Sequence, residues 1–182
     1  MKKFVLVISM LAASLSSPAQ EIPVIEDHHT PIVRPLKLSG PRVGITYAPD
    51  LVRNPSTVQK MLGDTNYVPR PWISQFGYQF EWRYFETPSG SQGLFEIIPL
   101  IGGLDQGLFV PTLNLLVGYR DASGFEIGAG PNLNAQRPGF VFAMGYNFRA
   151  GYINFPVNFG FVPTRDGARF TLLVSFNSRK TR

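Results

Sequence analysis

From Gly40 onward, large apolar side chains alternate with small or polar ones. In Tyr152–Val162, Ile153, Phe155, Val157, Phe159 and Phe161 alternate with Asn154, Pro156, Asn158 and Gly160. In Arg169–Phe176, Phe170, Leu172, Val174 and Phe176 alternate with Arg169, Thr171, Leu173 and Ser175. In Phe140–Arg149, Phe140, Phe142, Met144, Tyr146 and Phe148 alternate with Val141, Ala143, Gly145, Asn147 and Arg149. Neighbouring side chains of a strand point to opposite faces, so alternation of this length predicts strands with two unlike faces. Five more segments fit the same template: Arg42–Tyr47, 72–85, 93–102, 110–120 and 124–134. The second sets Phe76, Tyr78, Phe80, Trp82 and Tyr84 against Gln75, Gly77, Gln79, Glu81 and Arg83. The expected fold is all-β, an eight-stranded antiparallel up-and-down barrel.

The connections come in two kinds. Thr87–Gln92, Asp121–Gly124 and Ala150-Gly151 are compact, and their glycines supply the positive φ of tight hairpins. Ala48–Pro71, Gly103–Gly107, Ala135–Pro138 and Pro163–Gly167 form the other set, and only the first is long. Compact turns at one end and longer loops at the other match the asymmetry of bacterial barrels, with turns in the periplasm and loops outside. One short helix is predicted inside 48–71. Asn54 can cap it, Pro55 suits its first position, Gly63 suits its stop, and Val58, Met61 and Leu62 fall on one stripe.

Which face is inside follows from volume and charge. An eight-stranded barrel has an interior only just wide enough for side chains to fill. The rings from Phe76 to Phe176 would overfill it, and pointing outward they meet no such limit. The other face carries Arg42, Glu81, Arg83, Glu96, Arg120, Glu126, Arg149 and Arg169. An Arg pointing into hydrocarbon costs about 2–4 kcal/mol at mid-depth. In a lumen these charges can pair, and a structural charge network is expected there rather than an acid/base site or a pathway. Glycines 44, 77, 118, 128, 130 and 145 share that face and leave room for long side chains. Trp72, Trp82, Tyr84, Tyr119 and Tyr152 fall near strand ends, where lipid-facing aromatic girdles sit.

Composition agrees. Of 182 residues, 44% are hydrophobic and 16% charged, against about 25% charged in an average soluble domain. The formal charge of +5 is uneven. Setting aside Lys2, Lys3, Arg179, Lys180 and Arg182 reduces the 17 basic residues to 12, equal to the 12 acidic ones. A body so balanced has no basic face for nucleic acid.

Residues 1–19 read as a signal peptide. Lys2 and Lys3 precede the apolar run Phe4–Leu15, and Ser17-Pro18-Ala19 offers a small-residue cleavage site. Residues 20–39 read as an irregular segment broken by Pro23, Pro31 and Pro35, 40–177 as the barrel, and 178–182 as a basic tail. The chain has no cysteine, which excludes a lipid-anchored cysteine, disulfides and thiolate metal sites.

Residues 40–177 resemble the small eight-stranded outer-membrane barrels of the kind seen in the transmembrane domain of outer membrane protein A. The pattern, the strand count and the aromatic strand Phe170-Thr171-Leu172-Leu173-Val174-Ser175-Phe176 carry the likeness, although Asn177 to Arg182 follow that strand here. The resemblance implies bacterial outer-membrane lipid as the surroundings and the barrel-assembly machinery as a partner during biogenesis. Gly-Pro-Arg-Val-Gly at 40–44, Ser-Gln-Phe-Gly-Tyr-Gln-Phe-Glu at 74–81 and Asn-Phe-Pro-Val-Asn at 154–158 also resemble uncharacterised exported barrel proteins, which imply no activity.

Catalytic chemistry finds little support in the residues. Barrel enzymes that deacylate or palmitoylate lipid A use a His-Ser type set. The histidines of this chain are His28 and His29, both ahead of the first strand. Beside Glu26 and Asp27 they read as a solvated linker rather than a metal site. Gly102-Gly103 and Gly128-Ala129-Gly130 precede no helix and are not phosphate loops. No cofactor is expected. The leading expectation is a non-enzymatic outer-membrane barrel with a structural, adhesive or narrow-pore role. Two others remain open: a soluble periplasmic or secreted barrel holding an apolar ligand, and a lipid-modifying barrel enzyme.

Overall fold

The computed structural model describes residues 38–134, 137–150, 153–165 and 167–178. The expected signal peptide, both histidines, most of segment 20–39, Tyr152 and the basic tail after Ser178 lie outside the described residues. Eight strands follow one another: β1 Gly40–Tyr47, β2 Trp72–Glu86, β3 Gln92–Gly102, β4 Val110–Arg120, β5 Phe125–Asn134, β6 Gly139–Ala150, β7 Ile153–Val162 and β8 Arg169–Val174. Each pairs antiparallel with the next, and β8 pairs with β1, so the sheet closes on itself. A two-residue strand, β9 (Asn177–Ser178), continues β8 along β7 after a break at Ser175 and Phe176. This is the up-and-down barrel that the alternation predicts. Closure leaves no sheet edge within the wall to pair with another chain.

The seam between β1 and β8 is short, running from Val43↔Val174 to Tyr47↔Phe170. Two glycines on the inward side let neighbouring strands come close. A Cβ on Gly44 would lie 1.9 Å from the Leu172 carbonyl oxygen, and one on Gly77 would lie 2.0 Å from that of Pro99. These positions therefore admit only Gly without moving backbone. Sequence reasoning assigned the inward glycines to side-chain clearance, and at 44 and 77 the tighter constraint is strand approach. Clearance also operates: Arg42 stands opposite Gly77, and Glu126 opposite Gly145.

The connections set the two ends apart. At the turn end, the Asp121 carboxylate accepts from the Ser123 hydroxyl at 2.6 Å and from the Gly124 and Phe125 amides at 2.9 and 3.0 Å, while Gly124 takes φ +101°. At the loop end, residues 48–71 fold into two short helices, α1 (Pro49–Arg53) and α2 (Ser56–Leu62). The second is the helix predicted between Asn54 and Gly63, and Gly63 ends it at φ +68°, but its N-cap is Pro55, while Asn54 closes α1 instead. Of its apolar stripe, Val58 is buried while Met61 and Leu62 are exposed. The first helix is additional; Pro49 at its N-terminus starts it. Ala48, Leu51, Val58, Ile73, Leu108 and Val110 form a core under this cap. Gln106, in a one-turn 3-10 helix (Leu104–Gln106), ties the cap to the barrel. It donates to the Trp72 carbonyl at 2.7 Å and accepts from the Arg70 amide at 2.8 Å.

The outward face carries the rings. Phe76, Phe80, Trp82, Phe142, Phe148, Phe155 and Phe170 are all exposed, as are Val43, Ile45, Ile127 and Leu172. Neighbouring rings pack against one another across the wall, as in Tyr47–Trp72 with centroids 4.9 Å apart.

Candidate functional site

The inward residues of all eight strands fall in one period-two phase, yet they build two different regions. Toward the turn end lies a charge cluster with Arg120 of β4 at its hub. The strand register sets Arg120 opposite Glu126, and Glu81 opposite Glu96. Arg120 donates through Nε and Nη2 to Glu126 Oε2 at 2.9 and 2.7 Å, and through Nη1 and Nη2 to Glu81 Oε1 and Oε2 at 3.0 and 2.5 Å. A guanidinium forked across two carboxylates is the strongest common form of charged hydrogen bond. Gln79 donates to Glu96 at 2.5 Å. Arg42 faces Glu96, Glu126 and Glu81, and its Nε and Nη1 have no hydrogen-bond partner. Arg42 and Arg120 are each 1% exposed. Stripping water from an ion costs several kcal/mol, which only close pairing offsets, so the cluster stands or falls as a unit. Residues 38 and 39 fold into it as well: the Leu38 amide donates to Glu81 at 3.3 Å, and the Ser39 hydroxyl accepts from the Glu81 amide at 3.0 Å.

Five of the eight charges that the alternation placed inside meet there: Arg42, Glu81, Glu96, Arg120 and Glu126. Three do not. Arg83 sits beside a register shift in β2 and pairs with Glu86 at 3.1 Å on the exposed rim. Arg149 is also exposed, and donates to the Ala122 carbonyl at 3.4 Å. Arg169 is buried at the opposite end. It donates through Nε and Nη2 to Asp50 Oδ2 at 2.9 and 2.5 Å, which fastens α1 across the loop end, and reaches the Arg137 carbonyl at 3.4 Å. Asp50 escaped sequence reasoning because it lies in a connection and its partner is 119 residues away. Its one local signal is the Pro-Asp pair just past a strand.

Between the cluster and the cap the lumen holds a cavity of about 80 Å³. Ile98, Leu100, Leu116, Val141, Val162 and Leu173 form an apolar wall. Amide and hydroxyl groups share the lining with them. Asn132 donates to Asn114 at 2.6 Å, Asn134 to Thr112 at 2.8 Å, and the Thr46 and Thr171 hydroxyls meet at 2.8 Å. Leu51 and Arg169 roof it, and Glu96 and Glu126 floor it. The apolar wall was readable in part, since Val141 and Leu173 occupy the same alternating phase as Gly145 and Ser175.

The predicted girdle residues Trp72, Trp82, Tyr84 and Tyr119 are exposed on the outer wall. Trp72 is at the loop end of β2, whereas Trp82 and Tyr84 approach the turn end. Outside the wall, Asp105 accepts from the Ser74 hydroxyl and amide at 2.6 and 3.0 Å. Burial pushes its carboxyl up, and these bonds, with Arg70 nearby, outweigh that and hold it below the ordinary carboxylate value. At the turn end, the Ser123 hydroxyl bond lowers Asp121 likewise, against a smaller opposing effect of burial, with the Phe125 and Gly124 amides adding to the lowering. Among the described residues no group of three or more His, Cys, Asp or Glu side chains is placed to hold a metal ion. No family model, no curated protein and no solved structure matches the chain.

Proposed function

We propose that the chain is an integral barrel of the bacterial outer membrane, exported by its N-terminal signal, whose closed lumen gives it a structural, non-enzymatic role. The observation that carries this reading is the outer wall. Soluble monomers rarely expose apolar patches larger than a few hundred Å². Here exposed rings and aliphatic side chains stand on every strand, while the charges of the same strands turn inward or sit at the rims. Trp72 and Trp82 share one face of β2 and lie ten residues apart. At about 3.3 Å per residue and a tilt of about 40°, this separates the two girdle levels by roughly 25 Å, the height of the apolar band of an outer-membrane barrel. Outer-membrane lipid is then the partner of the wall, and the barrel-assembly machinery its partner during insertion. The lumen favours a structural role over a pore, because Arg42, Arg120 and three glutamates fill one half and α1 covers the other. On this reading residues 48–71 form the outer cap.

Cell fractionation tests the proposal. The protein is expected in the outer-membrane fraction, extracted only by detergent, with a band that migrates faster before boiling than after. Planar bilayers containing it are expected to stay silent. Recovery from the soluble periplasmic fraction without detergent overturns the membrane reading, and steady conductance overturns the closed lumen.

A further inference from the structure

The cavity between the charge cluster and the cap mixes two chemistries that the charge network leaves unexplained. Aliphatic side chains from β3, β4, β6, β7 and β8 line it, and set among them are polar atoms without partners: Gln75 Oε1, Asn132 Oδ1 and Asn158 Oδ1 make no hydrogen bond. Gln75 and Asn132 are each only 5% exposed. Asn132 commits its nitrogen to Asn114, so its orphan atom is the carbonyl oxygen. A buried acceptor left unpaired does not recover the hydration it gave up on folding, and three in one chamber are best explained by something that donates to them. Water alone would satisfy the oxygens but gains nothing from the wall of Ile98, Leu116, Val141 and Leu173.

We infer that this chamber is a binding site for a small neutral amphiphile, an alcohol or amide whose apolar body packs on the aliphatic side chains and whose hydroxyl or N–H donates to Gln75, Asn132 or Asn158. Size limits it. At about 10–15 Å³ of such space per water-sized sphere, 80 Å³ admits a molecule of roughly six heavy atoms. The Asp50–Arg169 ion pair holds Leu51 over the chamber, so α1 is the roof through which a ligand enters. The inference goes beyond the membrane reading, and its nanodisc test rests on it: a protein that does not enter the nanodisc fails the membrane reading, not the chamber.

The test uses the full-length mature protein folded into lipid nanodiscs, with methyl-labelled Ile, Leu and Val, titrated with butan-1-ol and separately with diethyl ether, which has the same number of heavy atoms and no donor. Inward methyls of Ile98, Leu116 and Val141 are expected to shift saturably with the alcohol. Outward methyls of Ile45, Ile127 and Leu133 report partition into lipid and are expected to shift linearly or not at all. The alcohol should bind about tenfold more tightly than the ether, the factor that about 1.4 kcal/mol of hydrogen bonding supplies. Val141→Phe fills the chamber and should abolish the saturable shifts. Asn132→Leu, of nearly the same shape, and likewise Gln75→Leu and Asn158→Leu, test the acceptors even if Val141→Phe does not fold, and at least one of them should cut the preference for alcohol at least threefold. Inward methyls that respond no differently from outward ones overturn the site. Equal affinity for ether and alcohol overturns the donor assignment, and so does a preference left unchanged by Asn132→Leu, Gln75→Leu and Asn158→Leu alike.

Discussion

The two halves of the lumen are built from the same alternating phase and hold themselves together differently. In the turn half every ionic contact runs between neighbouring or nearby strands, and the ladder register itself sets Arg120 against Glu126 and Glu81 against Glu96. In the loop half the ion pair joins a strand residue, Arg169, to Asp50 in a connection, and what it fixes is a helix rather than the wall. A charge on the ladder is thus part of the barrel's stability. A charge that reaches a loop is part of its closure. The same residue type in the same phase can serve either purpose, and the deciding variable is what the opposite end of the chain supplies.

Substitutions at the two hubs separate these roles most sharply. Arg120→Met strands Glu81 and Glu126 without their main donor in a dry interior. Breaking a buried pair in this way costs about 3–5 kcal/mol, and the fast-migrating folded band is expected to disappear or to convert at much lower temperature. Asp50→Ala strands Arg169 in the same way, at a comparable cost of about 3–5 kcal/mol, but the loss falls on the cap that the pair latches rather than on the ladder. The barrel band should survive, while limited proteolysis cuts within 48–71 many times faster. If the two variants lose barrel stability equally, the division between ladder and latch is wrong.

Gly77→Ala probes the wall between them. Its Cβ meets the Pro99 carbonyl, which cannot rotate away, and overpacking of this kind costs about 1–3 kcal/mol. Unchanged thermal conversion of the folded band would show that the strand approach there is slack.

The smallest effect is on pH. Asp105 has its carboxyl held below the ordinary value in the folded protein, so its contribution is fully present above that value and fades as the pH falls through the lowered one. Below about pH 4 the Ser74 clamp should loosen. A protease active in acid should then cut the loop end faster at pH 3 than at pH 6, and Asp105→Asn should flatten that difference.

The barrel itself was legible because period-two alternation is local: Phe140 to Arg149 announces its two faces without reference to any other segment. The charge cluster was legible for the same reason, since Glu81, Arg120 and Glu126 reveal their phase within their own strands. What lay beyond reach depends on three-dimensional level. Arg83 and Arg169 share a phase with Arg120, and only the register shift in β2 and the length of β8 place them at opposite rims. Asp50 belongs to a connection, where no period exists to read. The chamber was hidden because inward apolar residues scattered over several strands, Ile98 and Leu100 on β3, Leu116 on β4 and Val141 on β6, gather only when the barrel closes.

The central claim is that the ring-bearing wall faces hydrocarbon. The chain's two tryptophans, Trp72 and Trp82, are both on that wall, 56% and 50% exposed. Quenching of their fluorescence by lipids brominated at different depths along the acyl chain measures the claim directly. Strong quenching of both, greatest with bromines near the two interfaces, is the predicted result. Tryptophan emission that brominated lipid leaves untouched and aqueous iodide quenches instead would contradict it.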